Sequence, residues 1–122
     1  MTVAAYVLTS VIAIGISYIG IGYVRSPEKS AATFGLTVLP TGSTSFFQIK
    51  GVRDISSGLV LGAAMLAAGP HAVGWIVLAA SFTAFGDMLI ILRHRGKRPM
   101  AFGVHGATGA VMVVSALMLL LR

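Results

Sequence analysis

Lys50-Gly51-Val52-Arg53-Asp54 sets three charged residues within five positions at the start of an apolar run that continues to Ala68. In hydrocarbon such residues are costly, and they usually face a bundle interior or a wet cavity. The surroundings decide how the stretch reads. Of the 122 residues, 57% are hydrophobic and only 10% charged, against roughly 25% charged in an average soluble domain. Mean hydropathy is +0.94. Together these predict one all-α, polytopic membrane domain over residues 1–122, with Lys50 to Asp54 as part of an embedded site.

The absence of cysteine excludes disulfides, thiolate metal sites and thiol redox chemistry. Nine Lys and Arg against three Asp and Glu would suggest nucleic acid in a soluble protein. In a membrane chain the positions of the charges report topology instead. The expected partner is the lipid bilayer, with no nucleic acid.

Outward from the opening stretch, Ser45-Phe46-Phe47-Gln48 fits a capping box that starts helix two, which runs to about Ala68 and stops at Gly69-Pro70. Lys50, Arg53, Asp54 and Ser57 form one polar stripe on it. Gly51, Gly58 and Gly62 occupy the neighbouring face, with Gly58 and Gly62 in a small-xxx-small spacing. Before it, Val3 to Val24 is an uncharged run long enough to cross a core of about 30 Å. Tyr6 and Tyr23 sit near the ends of this helix one as interfacial rings, and Gly15, Tyr18, Gly22 and Arg25 share a face predicted to turn inward. Ser26-Pro27-Glu28 reads as the start of a short interfacial helix closed by a left-handed Gly35, followed by an extended Thr37 to Leu39 and a turn at Pro40 to Gly42. Helix three covers about Ala72 to Leu92, with Trp75 near its start and Asp87 as its charged interior residue. A basic loop from Arg93 to Pro99 leads to helix four, Met100 to Leu121, on which His105, Thr108, Met112 and Ser115 are aligned. The predicted architecture is an antiparallel, up-down four-helix membrane bundle.

Four crossings put Arg25, Lys29, Lys50, Arg53, Arg93, Arg95, Lys97 and Arg98 on one side and leave only Arg122 for the other. The positive-inside rule makes the first side cytoplasmic and both termini external. Counted along the helices, Tyr18, Asp54, Asp87 and His105 fall in one slab roughly 7 to 13 Å below that surface. This predicts a polar cavity in the cytoplasmic half. Asp54, Asp87 and His105 are the candidates for proton transfer, and Lys50, Arg53, Tyr18, Ser57 and Thr108 for substrate contact. A structural alternative pairs Arg53 with Asp54 or Asp87 to neutralise buried charge. Lys50 and Arg53 would oppose a cation, so neither metal nor cofactor is expected.

Tyr23, Pro27, Ala31, Phe34-Gly35, Lys50-Gly51-Val52-Arg53-Asp54-Ile55 and Gly58 resemble a family of small four-helix membrane proteins, from bacteria and fungi, defined only as a domain of unknown function. The resemblance spans most of the chain and implies the four-helix topology. More loosely, the layout looks like compact helical membrane enzymes that isomerise or cyclise lipophilic substrates. The expected function is therefore a membrane enzyme acting on a lipophilic small molecule by general acid and base catalysis, of isomerase, cyclase, dehydratase or epoxide-opening type. The alternatives are a small transporter or channel working as a homo-oligomer, and a non-catalytic accessory subunit.

Overall fold

A computed structural model describes residues 1–37 and 42–122. The turn expected at Pro40 and the end of the extended segment at Leu39 lie outside the described residues. All regular structure among the described residues is helical: α1 (Thr2–Arg25), α2 (Pro27–Ala32), α3 (Thr44–Ala67), α4 (Pro70–Arg93), α5 (Arg98–Met100), a π-helical turn (Ala101–Gly106) and α6 (Ala107–Leu120). The last three run on as one continuous helix over Arg98–Leu120.

Three helices, Thr2–Arg25, Pro70–Arg93 and Arg98–Leu120, are long and apolar enough to cross a membrane. α3 is as long as α1, but Lys50, Arg53 and Asp54 lower its hydropathy. Only 22 to 28% of the most apolar windows of the three helices is buried, so most of their surface needs a lipid solvent. Much of what lies inside is small, with Ala5, Ala13, Ala31, Ala84, Ala101 and Ala116 buried beside larger residues such as Val73, Val77, Ile91 and Leu119, while Val3, Val11, Leu59, Leu66, Phe82 and Leu89 are exposed. Association between membrane helices depends on close backbone approach more than on hiding large apolar side chains, and this distribution suits it.

The closest approach joins α1 to α3. A Cβ at Gly51 would lie 2.5 Å from the Gly20 carbonyl oxygen, and one at Gly58 would meet Ser17 Oγ and, at 2.6 Å, the Ala13 carbonyl. Gly62, expected to share this role with Gly58, faces open space. α4 packs on α6 in the same manner, with Gly74 against Leu119 and Leu120 and Gly109 against the Phe85 ring. α1 ties the two pairs together through Thr9 Oγ1 and Ser115 Oγ at 2.8 Å and a bond of 2.9 Å from Ser115 to the Ala5 carbonyl. α3 and α4, although consecutive, touch only lightly.

Several helix ends differ from the sequence-based expectation. α3 begins at Thr44, so no capping box forms at Ser45. Gln48 instead crosses to donate to the Val24 carbonyl at 3.3 Å, near the end of α1. Pro70 opens α4 at a position where no N–H is needed, and the link before it shrinks to Ala68-Gly69. The basic segment is a turn of four residues between Arg93 and Arg98. There Arg95 N–H bonds the Leu92 carbonyl and Gly96 N–H the Ile91 carbonyl, a Schellman closure. It places Arg95 at φ 55, a conformation costing a non-glycine residue roughly 1 to 2 kcal/mol. α2 ends at Ala32 with Thr33 as its C-cap, so Gly35 does not close it, although Gly35 has the expected positive φ, at 118°. Its carbonyl accepts from Lys97 N–H at 2.7 Å, which fastens the α2 connector to the basic turn.

Candidate functional site

Lys50 and Asp54 stand one turn apart on the face of α3 that also carries Gly51 and Gly58. Their Nζ to Oδ2 distance is 2.7 Å, and Asp54 is 9% exposed. The close approach of α1 at Gly20 leaves Tyr23 directly beyond it, 2% exposed, with the Lys50 ammonium 4.4 Å from the centre of its ring. Phe34, carried in by the connector after α2, presents a second ring 5.2 Å from the same ammonium. A cation over aromatic faces is attracted by about 0.5 to 2 kcal/mol according to its desolvation.

His105 comes from the π-helical turn. One extra residue in a turn rotates the downstream side chains by about 100° relative to a regular helix, so no 3.6-residue pattern anticipates its direction. Its Nε2 lies 3.0 Å from the Phe34 carbonyl oxygen, and its ring centre 4.6 Å from that of Phe34. A carbonyl only accepts, so we assign the proton to Nε2. Nδ1 then faces Asp87 Oδ2 at 3.8 Å, beyond hydrogen-bond length and close enough for a small shift or a bridging atom to connect them. Asp87 also lies within electrostatic reach of Lys50 and Asp54, and the Tyr23 hydroxyl within reach of Asp54 and Asp87. Three elements thus bring two acid–base pairs around the Tyr23 and Phe34 rings. Lys50 and Asp87 keep 31% and 28% of their side-chain surface open, so the cluster is not sealed.

Of the residues singled out from sequence, Lys50, Asp54, Asp87 and His105 come together. Tyr18 does not: it is 78% exposed, and of the face of α1 expected to turn inward Arg25 is exposed as well, while Gly15 and Gly22 are half-buried. Tyr23, expected at the interface, takes the interior place. Arg53, Ser57 and Thr108 are exposed. Ser57 and Thr108 donate to carbonyls of their own helices, Arg53 and Val104, and among the described residues Arg53 joins no salt bridge with Asp54 or Asp87. The reason is rotational. Glycine contact with α1 centres the inner face of α3 on Gly51, Asp54, Gly58 and Leu61, which swings Arg53 and Ser57 outward. The Tyr23 and Phe34 rings lie against the Lys50 ammonium, and Phe34 also against the His105 ring. A hollow of about 410 Å³ lies elsewhere, lined by Leu92, Arg95, Gly96, Arg98 and Phe102. Sequence reasoning missed Tyr23 and Phe34 as site residues, although both stand among the positions that carry the family resemblance.

Fold and site together define an all-helical membrane protein with a partly buried cluster of Lys, Asp and His at one end of its helices. The chain belongs to the DUF4267 family, a domain of unknown function whose model matches residues 13–119. Comparison with curated proteins and with solved structures finds no match.

Proposed function

We propose that this protein is an integral membrane enzyme that acts on a lipophilic substrate by general acid and base catalysis. In this reading all four long helices cross the bilayer as an antiparallel up-down bundle. α3 is the fourth span, its charges turned toward its neighbours and toward the surface. The basic turn and the cluster lie on the cytoplasmic side and both termini outside, the arrangement the charge bias supports. The observation that carries the proposal is the 3.8 Å gap between His105 Nδ1 and Asp87 Oδ2, with the Phe34 ring against both His105 and the ammonium of the tight Lys50–Asp54 pair.

His105 is the proton carrier, held by its bond to the Phe34 carbonyl, and Asp87 exchanges with it or balances its charge. Lys50 holds Asp54 in place and offers an ammonium to negative charge that develops on the substrate. Tyr23 and Phe34 give an apolar surface suited to a hydrocarbon substrate with one reactive group, as isomerisation, cyclisation, dehydration or epoxide opening requires. In this reading the substrate enters laterally from the bilayer between α3 and α4, which touch only lightly. Beyond the cluster the helices close on Leu61, Val73, Val77, Met112 and Leu119, which favours a one-sided site over a conducting path.

The test compares lipid extracts, by untargeted mass spectrometry, from cells producing the native chain with those producing Asp54→Asn, Asp87→Asn or His105→Ala. A species formed only with the native chain and lost in the variants supports catalysis. Matching profiles from native and variant cells at equal protein level would sink it.

A further inference from the structure

The hollow beside the basic turn has its own chemistry, separate from the acid–base cluster. It is lined by two arginines, Arg95 and Arg98, by the apolar Leu92 and Phe102, and by Gly96. Among the described residues neither arginine joins a salt bridge, so no carboxylate neutralises the hollow. Guanidinium groups bind phosphate oxygens through paired N–H donors, with a geometry a lysine cannot reproduce. Phe102, 54% exposed on the π-helical turn, lines the same hollow as the two arginines.

A second observation concerns the backbone. Arg95 occupies the left-handed position of the Schellman closure, where glycine is the unstrained choice. Gly96 comes next, at a point where a Cβ would lie 2.5 Å from the Gly35 carbonyl oxygen. The turn therefore uses glycine where the backbone approach demands it and retains a strained arginine next door. Such an outlier points to a role for the side chain. The position of the hollow, at the end of one membrane-capable helix and the start of the next, is where a phospholipid headgroup meets its acyl chains.

We propose that this hollow binds one anionic phospholipid, its phosphate held by Arg95 and Arg98 and the start of an acyl chain lying on Leu92 and Phe102. The site is independent of the catalytic reading, and its test uses no turnover.

The experiment measures thermal stability of the purified protein in a neutral detergent during titration with short-chain phosphatidic acid. Phosphatidylcholine of the same chain length and inorganic phosphate serve as separate arms. The native protein is expected to gain stability with phosphatidic acid and not with phosphatidylcholine. Arg95→Ala and Arg98→Ala should each weaken the apparent affinity by about tenfold or more, as loss of a charge-assisted hydrogen bond predicts. Arg95→Gly should relieve the backbone strain, so that the protein without lipid is at least as stable as the native one and yet loses the lipid response. This variant separates binding from folding. The double variant Arg93→Ala with Lys97→Ala removes more charge from the same turn than any single lining variant, without touching the lining residues, and should keep the response. If that pair abolishes the effect as fully as the lining variants do, the attraction is general to the basic surface and the proposal falls. An equal response to inorganic phosphate alone would overturn the lipid assignment, and an unchanged response in Arg95→Gly would remove Arg95 from the site.

Discussion

Where the two termini meet, Ser115 donates to the Ala5 carbonyl at 2.9 Å and Thr9 Oγ1 sits 2.8 Å from Ser115 Oγ. Toward the other end of the molecule Lys50 and Asp54 of α3 close to 2.7 Å, while His105 and Asp87 stop at 3.8 Å. A hydroxyl carries one proton, so Ser115 spends its own on Ala5 and Thr9 donates the other bond. Both hydroxyl residues are fully buried. These two hydroxyls are neutral and satisfied, and their hydrogen bonds join α1 to α6. The charged end keeps part of its surface open and leaves one pair unclosed. Buried polar groups that complete each other make structure, whereas ionisable groups left short of contact are available for chemistry.

Both ends rest on the glycine contacts between the helices, so the largest effect should come from breaking those. Gly58→Leu is expected to cost about 3 kcal/mol or more, since its side chain must displace Ser17 and the Ala13 backbone. It should appear as loss of monodisperse protein in detergent and should remove both ends together.

The next variants separate the ends. Ser115→Ala should lower stability by about 1 kcal/mol, a shift of several degrees in thermal denaturation, and leave the lipid profile of producing cells intact. Asp87→Asn should do the reverse, holding stability within about 0.5 kcal/mol and abolishing any chain-dependent lipid product. Equal stability losses in the two would make the charged end as structural as the hydroxyl pair.

The smallest effect is expected at Arg53. Arg53→Gln should change stability by less than about 0.5 kcal/mol and leave any product unaltered, because the side chain is exposed and joins no salt bridge among the described residues. A marked loss in either readout would return Arg53 to the site and require a different rotation of α3.

Much of the molecule was legible in the chain. Uncharged runs marked the long helices, because no backbone can cross hydrocarbon without satisfying its own hydrogen bonds. Gly35 declared its positive φ, and counting residues along the helices brought Asp54, Asp87 and His105 to a common level. These are properties of single helices, set by composition and rise per residue.

The rotation of each helix was a property of the pairs. The polar stripe on α3 suggested that Lys50, Arg53, Asp54 and Ser57 share an inner face, with Tyr18 expected opposite them. Contact at Gly20, Gly51 and Gly58 turned Arg53, Ser57 and Tyr18 outward and brought Tyr23 in. Phe34 entered through a connector, which has no period to read, and His105 through a π-turn that departs from the helical one. The sequence by itself determined the helices and the level of their charges. Only the tertiary structure decided which side chains meet, because close glycine packing selects one rotation among several that polarity alone would allow.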